Sequence, residues 1–234
     1  MNHSELGAEI VWQIGPFGIT STVVTTWGIM LVFTLLALLG HLTLRAAPGR
    51  LQTAIEAVLI AIEDALKEVL PPTAVRLVLP FVGTLWLFVL AANLTGLIPG
   101  LHAPTRDLSA TAALAVLVFG ASHWYGIRGR GLKNHLRHYT EPSVILLPFH
   151  IISEITRTLA LAIRLFGNMM SLEMAALLVL LIAGFLVPVP LLLLHVIEAI
   201  VQAYIFGMLA LIYIAGALEP GEAETNSPSS EETS

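Results

Sequence analysis

Long apolar runs alternate with short polar or proline-containing breaks, and the breaks divide the chain into six helical segments. The first covers about 22–44 and is closed by Arg45, Pro48 and Gly49. The second, about 50–70, has a different pattern. Ile55, Val58, Leu59, Ile62, Leu66 and Val69 recur at helical spacing, while Gln52, Glu56, Glu63, Asp64, Lys67 and Glu68 fill the other faces. That periodicity predicts an amphipathic helix lying in the membrane interface, stopped by Pro71-Pro72. The third and fourth segments, about 75–98 and 108–127, are joined by a loop holding Pro99, Gly100 and Pro104. A basic, glycine-containing loop follows. The fifth segment, about 144–187, has no proline between Phe149 and Val187. As one helix that stretch spans ~58 Å, against a hydrocarbon core of about 30 Å. Average tilts of roughly 20° do not absorb such an excess, so the helix must lie steeply over or leave the membrane. Val187-Pro188-Val189-Pro190 turns the chain into a sixth long helix, about 191–218.

Composition turns this pattern into a fold class. Of 234 residues, 56% are hydrophobic and 12% charged, about half the charged share of soluble domains, roughly 25%. Several runs reach the roughly 20 residues that cross a bilayer, and most lack a polar outer face. The chain therefore reads as an all-α integral membrane protein: residues 1–218 form one polytopic domain of five transmembrane helices and one interfacial helix. Residues 219–234 read as a polar, acidic, disordered tail. No internal repeat or second domain is evident.

Charge placement sets the expected topology. The first 44 residues hold no Lys or Arg, which predicts an external N-terminus. Arg45 and Arg50, and later Arg128, Arg130, Lys133 and Arg137, mark cytoplasmic segments. These constraints agree only if the second helix does not span, which leaves the acidic tail inside. The acidic N-terminus lacks the basic start of a cleaved signal peptide and reads as part of the mature protein. Cysteine is absent, which excludes disulfides, thiolate metal sites and cysteine nucleophiles. No basic stripe with interleaved aromatics suggests nucleic acid, and no P-loop suggests nucleotide chemistry in this chain.

The membrane segments nevertheless carry charge. Each charged side chain at bilayer depth costs at least ~2.5–3.5 kcal/mol. The fifth helix holds Glu154, Arg157, Arg164 and Glu173, with His150 and Asn168. Ser153, Arg157, Ala160, Arg164, Asn168, Ser171 and Ala175 fall on one small, polar stripe. Glu173, nine residues after Arg164, points to nearly the opposite side. On the sixth helix His195, Glu198 and Gln202 share a face; such a row can relay protons or coordinate a small cation with water. Plainer roles compete: Gln202 as an interhelical hydrogen bond, Arg157 snorkelling to the interface, and Asp107 as a helix N-cap. Arg164 resists them. It sits mid-helix, and Glu154 and Glu173 are poorly placed to pair with it.

At Arg164-Leu165-Phe166-Gly167-Asn168-Met169 the chain resembles subunit a of F-type ATP synthases. Further matches to that family's pattern are Glu173, His195 and Gln202, Asn93-Leu94-Thr95-Gly96-Leu97-Ile98-Pro99-Gly100, and Pro104-x-x-Asp107 with Thr111. There are departures: His150 stands where an acidic residue is common, with Glu154 one turn later; Glu198 is an added carboxylate, and Ser109 replaces a common Asn. The resemblance implies a stator subunit of a bacterial inner membrane, partnered by a rotating c-ring, peripheral-stalk subunit b, the other ATP synthase subunits and the bilayer. It implies two offset half-channels for H+ or Na+, with Arg164 between them facing ring carboxylates. Asp107, Asn168, Glu173, His195, Glu198 and Gln202 would line the outer half-channel, and ATP chemistry would belong to partner subunits.

A secondary ion transporter or channel subunit is the main rival, but such proteins show repeats and broken helices that are not seen here. An intramembrane metal hydrolase could use His195 and Glu198, yet HExxH and a clear third ligand are absent. No metal or cofactor is expected. A purely structural anchor leaves Arg164 unexplained.

Overall fold

The computed structural model describes residues 10–14, 17–43, 49–98, 101, 103–131, 147–183 and 188–218. Five of its helices are long and apolar enough to cross a membrane, as an all-α integral membrane protein requires. They are α1 (Ser21–Thr43), α3 (Pro72–Leu94), α4 (Leu108–Arg130), α5 (Leu147–Ala183) and α6 (Pro188–Leu218). The remaining helix, α2 (Arg50–Lys67), falls outside that set. The C-terminal tail and most of the basic loop between α4 and α5 lie outside the described residues, as do Arg45, Lys133 and Arg137.

One element is not anticipated by the helical pattern. Strands β1 (Ile10–Ile14) and β2 (Phe17–Thr20) pair antiparallel, with Trp12 opposite Ile19 and Ile14 opposite Phe17. The run IVWQI is β-branched and aromatic, the composition that suits a pleated ribbon. α1 follows directly.

Helix ends follow local chemistry. α3 starts at Pro72 and α6 at Pro188, each a few residues before the first uninterrupted apolar run. Proline is tolerated in a first turn because the N–H it lacks would have no helical partner there. Pro80 stands inside α3. A hydroxyl one turn on, that of Thr84, donates to the Pro80 carbonyl. α3 passes into a short 3-10 turn, Thr95–Leu97, and a second 3-10 turn, Pro104–Arg106, leads to α4.

α3 and α6 pack antiparallel along their length. Asn93 meets Ala199 at one end; at the other, Val75, Val78 and Val82 share a buried cluster with Leu211, Ile214 and Ala215. Between them Trp86 closes on Gly207 so tightly that a Cβ there would lie 2.8 Å from the indole. α2 adds Ile62 and Leu66 to this cluster. Its polar side carries Lys67 between Glu63 at 3.1 Å and Asp64 at 3.0 Å. The hydrogen bond to Asp64, then that to Glu63, holds the Lys67 ammonium above its ordinary range. A second cluster joins Leu85 and Val89 of α3, Ala115 and Val118 of α4, Leu161 and Leu165 of α5, and Ala203, Phe206 and Ala210 of α6. α1 stays peripheral and exposes Trp27, Leu31, Leu35 and Leu39. In hydrocarbon such surfaces cost nothing, since lipid tails are as apolar as leucine.

Candidate functional site

Polar groups that a bilayer would penalise gather where α5 and α6 meet the turn before α4. Asn93, at the C-terminal end of α3, is fully buried. Its Oδ1 accepts from Thr105 Oγ1 at 2.7 Å. His195 Nε2 lies 3.2 Å from the Asn93 carbonyl oxygen. A carbonyl can only accept, so Nε2 is the donor in this contact. Gly96 makes room for the imidazole: a Cβ there would sit 3.2 Å from the ring. Two turns along α6, Asn168 Nδ2 of α5 donates to Gln202 Oε1 at 2.7 Å. Gln202 Nε2 is buried with no partner among the described residues. A buried amide donor left unpaired costs about 1–3 kcal/mol, and water in a polar path would satisfy it.

The carboxylates have separate surroundings. Glu173 Oε1 lies 2.6 Å from Arg106 Nη1, an ion pair between α5 and the turn before α4. Asp107 caps α4: Oδ1 accepts from the Ser109 backbone N–H and from Ser109 Oγ, each at 2.9 Å. Its other oxygen accepts from Thr22 Oγ1 of α1 at 3.1 Å. Glu198 is half-buried and has neither hydrogen bond nor ion pair among the described residues. It lies on the face of α6 that carries His195 and Gln202, without a hydrogen bond to either.

Arg164 stands apart from all of these. It is exposed on the outer face of α5 and makes no ion pair or hydrogen bond among the described residues. The carboxylates that could have neutralised it are engaged elsewhere, Glu173 by Arg106 and Glu154 by His123 at 3.3 Å. The Arg157 guanidinium carbon sits 4.8 Å from the Tyr213 ring centroid, a cation–π contact that occupies it within the chain. Of the polar stripe read from the helical period, Ser153, Arg157, Ala160, Arg164 and Ser171 are exposed, while Asn168 and Ala175 are half-buried. Glu173 is turned away from it, as the nine-residue spacing predicts.

Comparison with known proteins decides what this arrangement belongs to. The sequence profile of a family described as ATP synthase A chain matches residues 23–215. The chain belongs to the ATP synthase A chain family. Among its relatives, ATP synthase subunit a 2 of Pelobacter propionicus is 60% identical over 225 residues, covering 96% of this chain and 98% of the relative. ATP synthase subunit a 1 of Hahella chejuensis is also 60% identical, covering 96% and 95%. ATP synthase subunit a of Legionella pneumophila is 53% identical, covering 95% and 96%. Family membership makes the chain a multi-pass membrane subunit of an ATP synthase complex, in line with its five apolar helices.

Within this frame the structure joins Asn168 to Gln202 directly and brings His195 to the end of α3. It leaves Glu198 without a hydrogen bond or ion pair among the described residues and gives Asp107 a capping role. Reading the sequence missed Arg106, Thr105 and His123. For Arg106 a signal existed: it is a lone cation beside Asp107, in a segment that the charge rule assigns to the outer side, where Lys and Arg are scarce.

Proposed function

We propose that this chain is the ion-translocating stator subunit of its ATP synthase, with Arg164 facing carboxylates of a rotating c-ring between two offset half-channels. One observation carries the reading: Arg164 is an exposed cation midway along a membrane helix with no ion pair among the described residues, while both acidic residues of that helix are paired elsewhere. Such a charge at bilayer depth calls for a partner outside the chain. A passing carboxylate supplies it. The guanidinium stays charged at any physiological pH, so it favours the ionised form of that carboxylate and makes it release H+ or Na+. It also opposes a cation moving straight from one half-channel to the other, so flow proceeds with the ring and becomes torque. Asn168, Glu173, His195, Glu198, Gln202 and Asp107 line the outer half-channel in this reading. The N-terminus and these residues' mouth face outside, the basic loop and C-terminal tail lie in the cytoplasm, and α2 rests in the interface. Peripheral-stalk subunit b holds the assembly, and ATP chemistry stays on partner subunits.

The chain has no cysteine, so cross-linking tests the ring-facing assignment cleanly. Ala160→Cys and Ser171→Cys, which flank Arg164 on the exposed stripe, should each form a disulfide with a single cysteine placed beside the ring carboxylate. Leu165→Cys, on the buried face, should not. Cross-linking of Leu165→Cys alone would reverse the orientation of α5 and sink the proposal.

A further inference from the structure

Resting on that functional reading, we propose that the two glutamates of the outer path have different tasks: Arg106 holds Glu173 in a fixed ion pair, and Glu198 takes up the cation and passes it on. The Arg106–Glu173 contact, at 2.6 Å, joins the turn before α4 to α5. It bridges 67 positions of sequence and ties the mouth of the path to the helix that carries Arg164. A guanidinium does not give up its proton in a protein. A cation arriving at Glu173 must therefore compete with a permanently charged partner for that carboxylate.

Glu198 faces no such competition. It is half-buried on a membrane helix with no hydrogen bond or ion pair among the described residues. His195 and Gln202 flank it on the same face. His195 is committed through Nε2 to the Asn93 carbonyl, and Gln202 offers a buried Nε2 donor with no partner among the described residues. The other charged or titratable described groups at this end are Arg106 and Asp107 before α4 and Glu173 on α5; α3 contributes only the neutral Asn93. Asp107 is occupied by the α4 cap and Thr22, and Glu173 by Arg106. Among the described residues at this end, the carboxylate that can exchange a cation without competing with a bound donor is Glu198. Arg106 is then a positioning residue acting through Glu173.

The test uses the complete ATP synthase reconstituted in vesicles, with synthesis followed as the cation on the entry side is varied, H+ and Na+ separately. Rates are normalised to assembled complex. Glu198→Gln should abolish synthesis or raise the cation concentration at half-maximal rate by about tenfold, the equivalent of one pKa unit. Glu173→Gln should lower the maximal rate and leave the half-saturating concentration in place. Arg106→Gln should match Glu173→Gln, the double variant should be no worse than the poorer single one, and Arg106→Lys should recover part of the rate. A moved half-saturation in Glu173→Gln beside an unmoved one in Glu198→Gln would reverse the assignment. Multiplicative losses in the double variant would show that Arg106 does not act through Glu173. Arg164→Ala serves as the control. If it is inactive while all the outer-path variants synthesise as wild type, this inference fails and the functional reading stands. If Arg164→Ala also synthesises normally, the functional reading itself fails.

Discussion

Replacing Arg164 with alanine removes the one cation on α5 that is exposed and has no hydrogen bond, ion pair or ring contact among the described residues. Its electrostatic leverage on a ring carboxylate can be bounded. Two unit charges ~4 Å apart attract by about 4 kcal/mol at an effective dielectric near 20. At 1.36 kcal/mol per decade, that changes the carboxylate's hold on its proton by roughly a thousandfold, before any desolvation is counted. Arg157, the other cation of the stripe, is stacked on Tyr213. Arg164→Ala should therefore abolish coupled ATP synthesis while the complex still assembles, because an exposed side chain contributes little to packing. Arg164→Lys should fail as well: a desolvated ammonium can lose its proton and lacks the planar fork of a guanidinium. The assay is ATP synthesis by reconstituted enzyme under an imposed H+ or Na+ gradient, with passive leakage followed in parallel. Leakage should rise in Arg164→Ala, as the barrier between half-channels is gone. Wild-type coupled synthesis in that variant would refute the reasoning.

Other parts of the molecule yield further predictions. Cysteines introduced singly at Ser4 and Ser230 should be labelled by an impermeant thiol reagent from opposite sides of the membrane; labelling from one side only would overturn the five-span topology. Gly207→Val should impair assembly, because the added carbons meet the Trp86 indole, where even a Cβ would be at 2.8 Å; overpacking of this kind costs about 1–3 kcal/mol. The amount of complex recovered in mild detergent measures it, and wild-type recovery would argue against the close α3–α6 approach. Glu173→Leu combined with His195→Leu should slow ion conduction by vesicles containing the membrane sector. Unchanged conduction would remove both residues from the path.

Much of the architecture was legible in the chain because hydrocarbon is a demanding solvent. Every backbone polar group must be satisfied inside it, so an apolar run of sufficient length has little choice but to become a helix. α2 was separable by its amphipathic period, and charge placement gave it a consistent place in the topology. The opposed directions of Arg164 and Glu173 followed from the helical repeat alone. The β1–β2 hairpin escaped this reading because a five-residue strand leaves no long periodic signal.

Pairing lay beyond the sequence. His195 and the Asn93 carbonyl are 102 positions apart, Arg106 and Glu173 67. Nothing local in either segment selects one partner over another. Glu154 and Glu173 share a helix with Arg164, yet each finds its partner on a different element, because a straight helix cannot fold a side chain back over nine or ten residues. The packing of α3 on α6 brings Asn93 under His195, and the turn before α4 carries Arg106 to Glu173. Helical periodicity set which way each charged side chain points; the antiparallel contact between helices determined what stands in front of it. Arg164 is left over by that process: it is turned outward, and every acid that could have neutralised it from within its own helix is already bound.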